Sequence, residues 1–85
     1  MRTEIRKRDG RLVKFDAQKI TNAIAKAGSA TAEFDDETAR KLTIKVLTCA
    51  DRLFDTEIPS VEEIQDIVEE VLLSSPYRRT AKAYI

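Results

Sequence analysis

The chain has 85 residues, with 15 Lys and Arg against 15 Asp and Glu, one cysteine and no histidine. That length gives room for one small domain with a modest core, and no apolar run approaches the roughly 20 residues needed to span a bilayer. A lone Cys49 rules out an internal disulfide and fits a reduced, cytoplasmic setting, while the missing histidines remove the usual general base and the commonest zinc ligand together.

Residues 2–7 and 11–15 alternate enough to predict two short strands around Asp9-Gly10, with Ile5, Leu12, Val13 and Phe15 as the apolar contributors. An Asp-Gly pair in this setting predicts a two-residue type I′ turn, in which both residues take positive φ. Asp16 is a good N-cap for a helix to about Ala27, with Gly28 in the C′ place. The stripe of that helix is Ile20, Ala23, Ile24 and Ala27. Residues 28–35 read as a loop, and Asp35 or Asp36 caps a second helix reaching about Leu53. Its expected inner face is Leu42, Val46, Cys49, Ala50 and Leu53.

Asp55 to Pro59 is a short extended link in which Glu57-Ile58 could add a third strand to the hairpin. Ser60 with Glu63 forms a capping box before the periodic Val61, Ile64, Ile67, Val68, Val71 and Leu72. Ser74-Ser75-Pro76 breaks this helix, and a last one starts near Pro76 or Tyr77 and still runs at Ile85, as in a piece of something longer. The expected fold is mainly α (α+β): a single domain over residues 1–85, a four-helix bundle-like unit capped by a small β-hairpin or three-stranded sheet.

Charge is balanced overall but unevenly placed. Arg6, Lys7, Arg8, Arg11 and Lys14 crowd the hairpin, opposed only by Glu4 and Asp9. Lys19 falls in the first turn of a helix, where a cation opposes the macrodipole and an anion would relieve the clash. Residues 53–77 carry acids and no base. An anion site at the basic end suits this dipole better than a long polyanion, so nucleic acid is an unfavoured partner. Glu62, Glu63, Asp66, Glu69 and Glu70 read as the solvated face of a helix, and no metal site is expected there. Neither GxxxxGK[ST] nor GxGxxG occurs, and nothing in the chain is equipped to activate water on a phosphate, so no catalytic residue is assigned.

Lys7-Arg8-Asp9-Gly10 followed by Phe15-Asp16 and Lys19-Ile20 resembles the first signature of the ATP-cone, the nucleotide-sensing regulatory domain of ribonucleotide reductases and of their transcriptional repressor. Ile58 to Glu69 resembles the second signature, and Tyr77 to Ile85 the third, so the similarity covers nearly the whole chain. It implies an allosteric domain that binds ATP or dATP, with or without Mg²⁺, and reports occupancy to a reductase catalytic domain by docking or by forming homo-oligomers. The implied nucleotide set is Ile5, Lys7, Arg8, Asp9, Gly10, Phe15, Lys19, Ile20, Val61 and Gln65. The base is expected under the β cap between the backbone near Ile5 and the helix of Val61 and Gln65, and the phosphates at Lys7, Arg8 and Lys19. The repressor carries a zinc ribbon before its cone, whereas this chain opens with the strand, which favours a reductase parent. Two alternatives remain at this level: a cone that has lost binding and serves as an interaction module, and a small nucleic-acid-binding domain.

Overall fold

Strands β1 (Glu4–Arg6) and β2 (Leu12–Lys14) pair antiparallel with Ile5 opposite Val13, and the computed structural model describes residues 4–55 and 57–84. The Gly10 N–H donates to the Lys7 carbonyl at 2.9 Å and the Lys7 N–H to the Arg11 carbonyl at 2.8 Å. Only Gly10 of the turn has positive φ, at 90°. The connection is therefore a three-residue loop with glycine in the left-handed region, not the expected type I′ turn. Asp9 stays at negative φ because its carboxylate is engaged elsewhere. Its Oδ1 accepts the Arg11 N–H at 3.1 Å and its Oδ2 the Arg11 Nε–H at 2.7 Å.

Helix α1 (Ala17–Ala30) begins at its expected cap, where Asp16 accepts the Gln18 N–H at 3.0 Å. Its end differs from expectation. The helix runs through Gly28, whose carbonyl accepts the Glu33 N–H at 3.0 Å, while the Ser29 carbonyl accepts the Ala32 N–H at 3.1 Å. These are the two bonds of a Schellman cap, and the left-handed position belongs to Ala32, at φ 58°. Gly28 serves packing instead. A Cβ there would run into the Phe34 ring.

Helix α2 (Asp36–Phe54) is capped by Asp35, and α3 (Val61–Leu73) carries the complete Ser60–Glu63 capping box. Helix α4 (Arg78–Tyr84) follows the Ser-Ser-Pro break; whether it continues at Ile85 lies outside the described residues. The helices close a ring in which α1 packs on α2, α2 on α3, α3 on α4 and α4 on α1. Ile24, Leu42, Val46, Ala50, Ile64, Val68 and Leu72 fill its centre. Thr21 and Thr43 share a buried hydrogen bond of 2.8 Å between α1 and α2. Leu53 is not on the inner face, being 67% exposed, and Cys49 is half-buried.

No third strand forms among the described residues. The link instead touches β1 once: the Arg6 N–H donates to the Pro59 carbonyl at 2.9 Å, with an isolated parallel bridge between Arg6 and Ser60. Pro59 is fully buried and Ser60 already caps α3, so the chain turns into the helix before a ladder can extend.

The α1 terminus gives opposite expectations for two small substitutions. Gly28→Ala should destabilise by about 1–3 kcal/mol through forced displacement of Phe34, whereas Ala32→Gly should stabilise by about 1 kcal/mol through relief of a left-handed alanine. Urea denaturation of the two variants against the parent chain checks both signs.

Candidate functional site

Alternation along the strands turns Ile5 and Val13 inward over the helices, and a cavity of about 270 Å³ opens between the hairpin and the bundle. Ile5, Lys7, Val13, Lys14 and Phe15 line it from the hairpin side; Asp16, Lys19, Ile20 and Ala23 from the start of α1; Val61, Ile64, Gln65 and Val68 from α3; and Tyr84 from the end of α4. The floor is aliphatic and aromatic. The polar groups sit at its edge.

Of the ten residues expected at a site, the structure brings seven to this one cavity: Ile5, Lys7, Phe15, Lys19, Ile20, Val61 and Gln65. Arg8, Asp9 and Gly10 do not line it. Arg8 stands in the loop between the strands, with its side chain 91% exposed and its Nε 3.4 Å from Glu62 Oε2. Asp9 and Gly10 build the turn. The Arg11 backbone N–H holds the Asp9 carboxyl below its usual value; desolvation opposes this, and the Arg11 side chain and the nearby Lys7 charge reinforce it.

The hairpin's cations thus divide by residue type. Arg6 donates to the Gly10 carbonyl at 3.1 Å, Arg11 pairs with Asp9 and Arg8 with Glu62. Lys7, Lys14 and Lys19 border the cavity, and none is paired with a carboxylate among the described residues. Asp16 is the one carboxylate in the lining among the described residues, and its Oδ1 accepts a backbone N–H as the cap of α1. The rim therefore carries a net positive charge above an apolar floor, an arrangement that attracts an anion bearing a hydrophobic body.

Gln65 Nε2 donates to the Tyr84 hydroxyl at 3.3 Å, which sets a polar pair into the otherwise apolar α3–α4 side of the cavity. Burial pushes the Tyr84 phenol above its ordinary value of 10.0; the Gln65 donation works against this and the Glu69 charge adds to it. Sequence reasoning left Tyr84 unassigned and omitted Val13, Lys14, Asp16, Ala23, Ile64 and Val68. The strand register signals Val13, and helical spacing around Lys19 and Gln65 signals Ala23, Ile64 and Val68. Tyr84 has no local signal, because only the docking of α4 carries it there.

A larger groove of about 630 Å³ lies between α2 and α3. Its rim presents Glu63, Asp66 and Glu70 against a single Lys45, so it repels the anions that the hairpin cavity attracts. Among the described residues no group of three metal-ligating side chains gathers, and no helix is long and apolar enough to cross a membrane.

Residues 3–85 match the ATP cone domain family. The chain belongs to that family. It is 45% identical over 87 aligned residues to the vitamin B12-dependent ribonucleoside-diphosphate reductase of Thermoplasma acidophilum, covering 96% of this chain and 11% of that protein. It is 36% identical to the ribonucleoside-diphosphate reductase subunit alpha of Chlamydia pneumoniae, over 93% of this chain and 8% of that protein. Against the anaerobic ribonucleoside-triphosphate reductase of Escherichia coli K12 the identity is 35%, over the whole chain and 12% of that protein. The chain thus spans about a tenth of the length of the curated relatives it matches. It is a small regulatory ATP-cone, a domain type that serves ribonucleotide reductases as a binder of nucleotide effectors.

The raised Tyr84 value fixes a pH dependence. The folded chain binds this proton more tightly than the unfolded one, so the contribution is fully present below pH 10.0 and is lost as pH rises through the folded value. Tyr84→Phe should remove that part of the alkaline destabilisation, as read by phenolate absorbance alongside denaturation midpoints across the alkaline range.

Proposed function

We propose that the cavity beneath the hairpin takes an adenine nucleotide, ATP or dATP, as an allosteric effector. The observation that supports this best is the set of three lysines, Lys7, Lys14 and Lys19, that have no carboxylate partner among the described residues and border a pocket with an apolar floor. The triphosphate lies against these ammonium groups and near the first free N–H groups of α1, which relieves the clash of Lys19 with the helix dipole. The base lies between Ile5 and Val13 above and Val61, Ile64 and Val68 below. Gln65 meets the base edge. Its amide oxygen has no donor among the described residues and suits the exocyclic amine of adenine.

The parent chain is a ribonucleotide reductase whose catalytic residues lie in a separate domain, and the setting is the cytoplasm. Nucleotide occupancy there controls deoxyribonucleotide supply for DNA replication. It does so through cone docking or self-association, with a coupling free energy of about 1–3 kcal/mol. The nucleotide binds with or without Mg²⁺ and leaves unhydrolysed. An interaction module without nucleotide binding and a nucleic-acid-binding domain are the rivals, and no feature of the cavity favours either.

Calorimetric titration with ATP, dATP and GTP, each with and without Mg²⁺, tests the reading. Binding of the adenine nucleotides ahead of GTP, with no phosphate release, is the expected result; equal affinity for GTP or measurable turnover overturns it. Lys19→Ala should weaken ATP by about tenfold to a hundredfold, the loss of a charge-assisted hydrogen bond. Arg8→Ala should weaken it less, because Arg8 is drawn outward to Glu62.

A further inference from the structure

The described part of helix α4, Arg78–Tyr84, packs on both α1 and α3. Its first turn is also tied by side-chain hydrogen bonds to the turn after α1. Glu33 Oε1 accepts both the Thr80 backbone N–H, at 2.6 Å, and the Thr80 Oγ–H, at 2.8 Å. The Thr80 and Thr31 hydroxyls are also 2.8 Å apart and hydrogen-bonded. Thr80 is fully buried, and the Phe34 ring meets the edge of Tyr77 at 4.7 Å, just before α4 begins. The Thr80 N–H is one of the first-turn donors that a helix leaves without an internal partner. A carboxylate from 47 residues earlier in the chain satisfies it. One helical turn beyond Thr80 stands Tyr84, bonded to Gln65 in the cavity wall.

We propose that Glu33 is a positioning residue for the cavity: its carboxylate pins the start of α4, and the pinned helix presents Tyr84 as the fourth wall of the site. The cavity lies at the start of α1 and the pin just past its end, so the two are linked along the length of α4 rather than by contact. Desolvation works to raise the Glu33 carboxyl, but the Thr80 hydroxyl and N–H donations, with Arg79 beside them, outweigh it and keep the group below its usual value. The acceptor thus stays ionised at neutral pH. The linkage is reciprocal: a ligand that needs Tyr84 in place tightens the Glu33–Thr80 contact, and loosening that contact weakens the ligand by the same factor. The part of this inference that concerns ligand affinity rests on the nucleotide reading of the cavity; the pinning of α4 does not.

Two measurements on the 85-residue chain test it. In amide exchange of the ligand-free protein, Glu33→Ala should speed residues 78–84 by about tenfold or more, the loss of bonds to a charged acceptor, while residues 61–73 keep their rates. Glu33→Gln, which retains a carbonyl acceptor, should restore most of that protection. In ATP titrations well below the unfolding temperature, Glu33→Ala should raise Kd by about tenfold, and by less than about twofold when Tyr84→Ala is already present, as expected for two residues acting through one contact. Unchanged exchange at 78–84 overturns the pin. Faster exchange there with an unchanged Kd, or with a Kd effect that persists in the Tyr84→Ala background, overturns its connection to the cavity. Faster exchange at 78–84 in a chain that binds no ATP in any form supports the pin and overturns the nucleotide reading alone.

Discussion

The contact on which the cavity depends is one backbone hydrogen bond, from the Arg6 N–H to the Pro59 carbonyl. It joins the edge of a two-stranded hairpin to the residue that enters α3. Without it, the hairpin is a six-residue ladder continuous with α1 and held to α3 by side chains alone, and paired strands of that size are marginal in water. With it, Ile5 and Val13 are held facing the aliphatic side of α3, and the space between becomes a walled pocket. Pro59 suits this junction because it has no N–H to leave unsatisfied on its buried side, while its carbonyl remains free to accept. Ser60 then caps α3 immediately, so a single short segment both receives the hairpin and starts the helix that floors the site.

The bundle beneath is organised by a closed ring of helix contacts rather than by a long shared axis. Each helix has two neighbours, so the small buried set around Ile24, Val46, Val68 and Leu72 is enclosed from every side. In a chain of this size the polar groups within that enclosure must be matched locally, and the threonines are. Thr43 donates back to Ala39 within α2 and accepts from Thr21 on α1, so two β-branched residues fill core volume without leaving an orphan donor.

Much of this was legible in the sequence where the signal is local. The Asp16, Asp35 and Ser60 caps, the Ser60–Glu63 box and the break at Ser74-Ser75-Pro76 each depend on a few adjacent residues and appear where expected. The failures occur where a distant side chain decides. Gly28 reads as a terminator, but Phe34 needs its missing Cβ and the helix continues through it, leaving the left-handed position to an alanine. Asp9-Gly10 reads as a two-residue turn, yet Arg11 captures the Asp9 carboxylate and selects a longer loop. The expected third strand is pre-empted by the α3 cap. At the cavity, the strand and helix periods gather residues from three segments, while Tyr84 is placed by a helix whose first turn is bonded to Glu33, far away in the sequence.

The division of the hairpin's cations has a consequence for what such a pocket can tell apart. The arginines, with their flat forks of donors, are spent on fixed partners within the protein: a turn carbonyl, Asp9 and Glu62. The lysines left at the rim are point charges on jointed stems, without a preferred plane of approach. A rim of this kind responds to how much negative charge arrives rather than to its shape, and under the proposed reading it would accommodate phosphate chains in more than one pose. Under the proposed reading, fine discrimination would fall to the base of the cavity, where Gln65, Tyr84 and the aliphatic floor lie. The pocket is thus graded, yielding at its mouth and exacting at its base, so that under the proposed reading related ligands would enter by the same charge and be distinguished only once inside.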